Sequence, residues 1–139
     1  MRTAGFLVLL VGSLLLPAQE ASTGVKKVAP KQTPIDSGAK MYREYCASCH
    51  GLHGKGDGPV ASTLVRRPTD LTLLSQKNGG KFPVLLVKNS IQNGVTAGHG
   101  SKDMPVWGPI LSNVSQHSQA LVVLRIENLT NYIETLQVK

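Results

Sequence analysis

CASCHGLHGKGDGP, residues 46–59, brings both cysteines of a 139-residue chain within four positions, sets a histidine directly after them, and then passes through four glycines to a proline. Two thiols this close need a shared explanation. A disulfide between residues separated by only two others closes almost no loop and adds little stability. A structural zinc site takes four protein ligands, so the remainder would come from His50, His53, His99 or His117. A thioredoxin-like redox pair belongs after a strand, at the start of a helix in a βαβ unit, and the residues before Cys46 show no strand pattern.

One further chemistry uses Cys46, Cys49 and His50 together. In Cys-x-x-Cys-His the two thiols add across the vinyl groups of a haem, a helical turn sets their separation, and the following histidine is directed at the iron as proximal ligand. The composition agrees. Aromatic residues make up only 4% of the chain, little for a small domain that must fill its centre with side chains, and a large apolar macrocycle would supply the missing bulk.

The N-terminus matches this chemistry in kind. Arg2 precedes a nearly unbroken apolar run over residues 4–16, followed by Pro17, Ala18 and small residues. The run is shorter than the roughly 20 residues a transmembrane helix needs, so residues 1–21 read as a signal peptide, with an uncleaved N-terminal anchor as the second reading. Either one exports the domain, in a bacterium to the periplasm, and the anchor would add a membrane association. Residues 22–34 mix lysine, proline and small polar residues without apolar periodicity and read as a flexible linker. The folded domain is then 35–139, long enough for one core.

The formal charge is +7. Export argues against nucleic acid as the partner. The basic residues are scattered, with only Lys26-Lys27 and Arg66-Arg67 adjacent, which describes a soluble basic surface rather than a binding tract.

Helical spacing dominates the domain. A first helix is expected over 36–47, with Asp36 or Ser37 as N-cap and Ala39, Met41, Tyr42 and Tyr45 as apolar surface. A short second helix starts at Pro59 and runs to Leu64. Residues 66–81 read mostly as loop, with a turn of helix near 71–75. Pro83 and Gly94 bracket a helix with Leu85, Leu86, Val87 and Ile91 between them, although β-branched residues there also allow a strand. The last helix, 118–136, places Leu121, Leu124, Leu129, Tyr132, Ile133 and Leu136 on its apolar side, with Arg125, Glu127, Asn128 and Glu134 between them. The fold class is all-α, with about four to five helices.

With these residues in place, the sequence resembles a class I c-type cytochrome across residues 35–136. The resemblance implies a small fold wrapped around one covalent haem, with the first and last helices crossing. In that family a glycine of the first helix meets an aromatic of the last, and Gly38, Tyr42 and Leu129-x-x-Tyr132 stand at the family's spacing. A glycine inside a helix costs about 1 kcal/mol relative to alanine, and a backbone contact would account for Gly38. A fraying first turn is the plainer alternative.

The same resemblance implies that the carbonyl of Pro59, nine residues after His50, accepts a hydrogen bond from the second ring nitrogen of that histidine, a role compatible with starting a helix. For the distal ligand, Met1 lies in the signal and Met41 lies too close before Cys46, which leaves Met104 or a histidine such as His99. Met104, in KDMPVWGP, resembles the family's ligand loop. His53 follows His50 too closely to reach the opposite haem face, and His117 reads as surface. Trp107 either aims its indole N–H at a haem propionate or simply anchors the core. Arg66 and Arg67 have the same choice between propionates and solvent. The segment 108–119 is longer than compact members need and has no readable role.

His/Met ligation raises the reduction potential, and filling both axial positions leaves no site for substrate. The resemblance thus implies a one-electron carrier, either a periplasmic shuttle or the haem subunit of a redox complex, with redox proteins as donor and acceptor. A haem enzyme or a gas or redox sensor with a labile distal ligand is the alternative of a different class.

Overall fold

The computed structural model describes residues 30–95 and 103–138. The expected signal peptide, most of the linker and His99 lie outside the described residues. All regular structure within them is helical, as the apolar spacing anticipated. Among the described residues no helix is long and apolar enough to cross a membrane.

Ser37 opens the first helix, α1 (Gly38–Tyr45), its side chain accepting a hydrogen bond from the Lys40 backbone N–H. This satisfies one of the donors that every helix start leaves unpaired. Gly38, Met41, Tyr42 and Tyr45 recur at three- and four-residue intervals and form the buried face. The chain bends at Cys46 and continues as α2 (Ala47–His50), a single turn ended by Gly51 at φ 78°. Short 3₁₀ turns follow at Ala61–Thr63 and Leu71–Leu73, the latter running into α3 (Leu74–Lys77). Of the helix expected from Pro59, only the first of these turns forms.

Helix α4 (Val84–Asn93) lies where Pro83 and Gly94 bracketed it, and the strand alternative is not adopted. It buries Val87 and Ile91, one turn apart. Helix α5 (Trp107–Val114) falls largely within the segment 108–119, for which the sequence offered no readable role. Pro109 obscured it: within a first turn, proline replaces an N–H that has no intrahelical partner anyway, so it marks a helix start as readily as a loop. Gly108 then lets α5 press against α4, since a Cβ there would lie within contact distance of the Gln92 carbonyl.

The last helix, α6 (Gln119–Thr135), crosses α1 and closes the fold. Its C-terminal half buries Leu129 and Ile133 as expected, but its N-terminal half is rotated from the anticipated face. Val122, Arg125 and Ile126 are buried, while Leu121 and Leu124 are 41% and 44% exposed. The series 122, 126, 129, 133 has helical spacing as regular as the leucine series. Arg125 turns inward because oxygens await it. Its Nε donates to Ser115 Oγ at 3.1 Å and its Nη1 to the Thr33 carbonyl at 3.0 Å, with Met41 Sδ at 3.5 Å.

That arginine also binds down the chain ahead of α1, which composition had assigned to linker. Thr33 is buried, its Oγ1 lies 2.9 Å from Tyr45 Oη, and Tyr45 donates to the Lys31 carbonyl at 2.7 Å. The core proper consists of Met41, Tyr42, Leu111 and Leu129 at its centre, with Val87, Ile91, Val122, Ile126 and Ile133 around them. It is packed against one side of a deep cavity.

Candidate haem site

Cys46, Cys49 and His50 occupy one turn of chain. The Cys46 carbonyl accepts from the Cys49 N–H at 3.2 Å and from the His50 N–H at 2.9 Å. Both cysteines are free thiols. Together with His50 they form one wall of a cavity of about 570 Å³, within the roughly 300–1,000 Å³ usual for cofactor and ligand sites. Val87 and Ile91 of α4 and Leu129 and Ile133 of α6 give the cavity its apolar lining. Met104, Pro105 and Trp107 line it from the segment that leads into α5. The fold therefore brings Met104 to the same cavity as His50, although 54 positions separate them in sequence.

Electrostatics prepare these groups for a neutral donor set. Burial, reinforced by the neighbouring Cys49, pushes the Cys46 thiol up to about 12. Among the described residues no group of three Cys, His or carboxylate side chains converges as a metal cluster. His50 is held below the ordinary histidine range by burial, opposed by a hydrogen bond to a backbone carbonyl. That bond joins His50 Nδ1 to the Thr69 carbonyl at 3.1 Å. A carbonyl can only accept, so in the neutral ring Nδ1 carries the proton and Nε2 keeps its lone pair.

The partner of His50 is a correction to the sequence reading, which expected the Pro59 carbonyl. Pro59 is exposed and lines a shallow surface depression with Arg43, Ser48 and His53, not the cavity. The reason is local. The Gly58 N–H donates to the Cys49 carbonyl and the Val60 N–H to the Ser48 carbonyl, which holds Pro59 along the back of α2. Thr69 reaches His50 because two loops are joined side by side. The Leu71 N–H donates to the Gly54 carbonyl at 2.7 Å and Arg67 Nε to the Gly56 carbonyl at 3.2 Å. Gly56, at φ 71°, lies directly beneath the Pro68 carbonyl, with no room for a Cβ. Sequence reasoning missed Thr69 since a backbone acceptor has no side-chain signature, although Asp70 two residues before Thr72 is a recognisable capping pattern.

Other expected residues divide clearly. Trp107 is partly buried in the cavity wall and packs against Tyr45, with ring centroids 5.2 Å apart. Arg66 and Arg67 are exposed and both line the cavity. His53 and His117 are exposed on the surface. The structure also bears out the crossing that Gly38 implied: a Cβ on Gly38 would lie 2.9 Å from Tyr132 Cβ and closer still to the Asn128 carbonyl. Tyr42 and Tyr132 pack in a tilted pair, with ring centroids 5.2 Å apart and ring planes at 51°.

A flat apolar cofactor fits these surroundings. The cavity walls are largely aliphatic, two thiols stand at one side, and a neutral imidazole, a thioether and the arginines Arg66 and Arg67 line the same space.

An all-helical fold closed by a glycine-mediated crossing, around a cavity bearing Cys-x-x-Cys-His, defines a class I c-type cytochrome. The family model described as cytochrome c oxidase, cbb3-type, subunit III matches residues 33–122, and the chain belongs to this family. It is also 35% identical over 109 residues to the cbb3-type cytochrome c oxidase subunit FixP of Azorhizobium caulinodans, an alignment covering 78% of this chain. The chain spans 29% of that relative's length. No solved structure matches it. Family membership brings haem c binding and haem-based electron transfer.

Proposed function

We propose that this protein carries single electrons on one haem, bound covalently through thioether bonds from Cys46 and Cys49, with His50 and Met104 as the axial ligands of its iron. The observation that carries this reading is that all four side chains line one cavity. The lowered proton affinity of His50 supports it, because a neutral ring has a nitrogen lone pair to give. Bound haem supplies a reversible ferric–ferrous couple. The chain's part is to fill both axial positions, so that the iron changes charge with little rearrangement, and to surround it with apolar walls.

Neutral sulfur opposite imidazole favours the ferrous state and raises the potential relative to two imidazoles. Trp107, Arg66 and Arg67, which line the cavity, would pair with propionates. The domain works on the periplasmic side, delivered by the N-terminal segment. It serves there as a shuttle or as the haem subunit of a redox complex, exchanging electrons with protein donors and acceptors. The relative named as an oxidase subunit supports the second setting.

Spectroscopy of the protein expressed with a working haem-attachment system tests this. A pyridine haemochrome of the two-thioether type, a weak far-red sulfur-to-iron band in the ferric form, and resistance of the ferrous form to carbon monoxide are expected. Rapid carbon monoxide binding by the native protein would overturn the carrier assignment in favour of a labile distal ligand.

A further inference from the structure

The proximal histidine is oriented from an unexpected direction, and the device that orients it is visible in full. Thr69 is itself surface-exposed, yet its carbonyl is clamped from both sides. On one side the Pro68 carbonyl rests on Gly56 and Arg67 holds the Gly56 carbonyl. On the other, Asp70 caps the 3₁₀ turn Leu71–Leu73, its Oδ1 accepting from the Thr72 N–H at 2.9 Å and from Thr72 Oγ1 at 2.6 Å. The turn is tied again by Leu71 N–H to Gly54, by Gln137 Nε2 to the Leu71 carbonyl at 2.7 Å, and by the Val138 N–H to the Thr72 carbonyl at 3.0 Å. The peptide between Thr69 and Asp70 has little freedom left.

We infer that Asp70 is a positioning residue for the proximal ligand: its cap fixes the Thr69 carbonyl, which takes the Nδ1–H of His50, sets the ring plane, and makes Nε2 a stronger donor to iron. The inference rests on the reading of His50 as that ligand. Hydrogen bonding at the far nitrogen of a metal-bound imidazole fixes its tautomer and raises its basicity. A stronger donor stabilises the ferric state, so the cap lowers the midpoint potential. Loosening it raises the potential and exposes Nδ1–H to exchange.

The test uses the haem-loaded full-length protein in the diamagnetic ferrous state, where the ring current displaces the protons of an axial imidazole upfield. The His50 Nδ1–H is expected to show nuclear Overhauser contacts to Thr69 and Asp70. In Asp70→Ala its solvent exchange should quicken about fivefold, the equivalent of one lost cap, and the midpoint potential should rise. Asp70→Asn, which keeps an oxygen for both Thr72 donors, should restore slow exchange although it lacks the charge. Pro59→Ala should leave exchange and potential unchanged. Contacts from Nδ1–H to Pro59 or Val60, or equal exchange in Asp70→Ala and wild type, would overturn the proposal. Should the His50 ring protons show no ring-current displacement at all, it is the ligand assignment that fails, and the two failures are thereby told apart.

Discussion

Gly38 of α1 lies directly against the backbone of Asn128 in α6, so that a Cβ at position 38 would collide with the Asn128 carbonyl oxygen. The contact is backbone to backbone, and neither helix can yield without dragging its own hydrogen-bond ladder. Asn128 Nδ2 adds a bond to the Ile35 carbonyl at 2.9 Å, which secures the chain just ahead of α1 at the same crossing. Since α1 leads into Cys46 while α6 supplies Leu129 and Ile133 to the cavity, this crossing sets the width of the site.

Gly38→Ala should therefore force the two helices apart. Overpacking of this kind costs about 1–3 kcal/mol, more than the small gain from replacing a helical glycine. At several degrees per kcal/mol for a domain of this size, calorimetry should record a melting temperature lower by about 10 °C. An unchanged melting temperature would mean that the helices cross elsewhere.

Met104→Ala removes the thioether proposed for the distal side. The haem should stay covalently attached, the far-red band should vanish, the potential should fall, and the ferrous protein should bind carbon monoxide readily. Optical titration and potentiometry check each of these. A spectrum identical to wild type would transfer the role to His99.

Arg125 is 7% exposed and joins α6 to Ser115 beyond α5, to Met41 in α1, and to Thr33 ahead of it. Replacing it with alanine opens a cavity and strips partners from buried oxygens at once. Hydrogen bonds from charged groups contribute about 1.5–3 kcal/mol each, and a total loss of about 3 kcal/mol should appear in urea unfolding. Arg125→Lys should recover only part of this, because an ammonium lacks the planar fork that reaches Ser115 and Thr33 together.

The Asp70 carboxyl is held below its ordinary value, first by the hydrogen bond from the Thr72 side chain, then by the Thr72 N–H and the charges of Lys77 and Lys55. Its folded-state affinity for protons is thus lower than in the unfolded chain. Its contribution to stability is complete above the unfolded value near 3.9 and disappears as pH falls through the depressed folded value. Urea midpoints measured between pH 6 and pH 2.5 should decline, and Asp70→Asn should flatten the part of that decline below about pH 4.

Residues that act through their near neighbours could be read from the chain alone. Cys-x-x-Cys-His states its chemistry within five positions, Ser37 and Gly94 mark helix ends by their own conformational preferences, and the small number of aromatics points to a core completed by something other than side chains. Gly38 was legible too, since a glycine in a helix asks for a close approach. What required the tertiary structure was every choice between local equivalents. Two overlapping apolar series on α6 satisfy the same periodicity, and only the oxygens of Thr33 and Ser115, brought from distant segments, turn Arg125 inward and leave Leu121 and Leu124 in water. Likewise Pro59 and Thr69 each offer a carbonyl to His50. The acceptor is decided by two loops that meet through Gly56 and Leu71, because a hydrogen bond depends on position in space to a few tenths of an ångström, which residue identity does not encode.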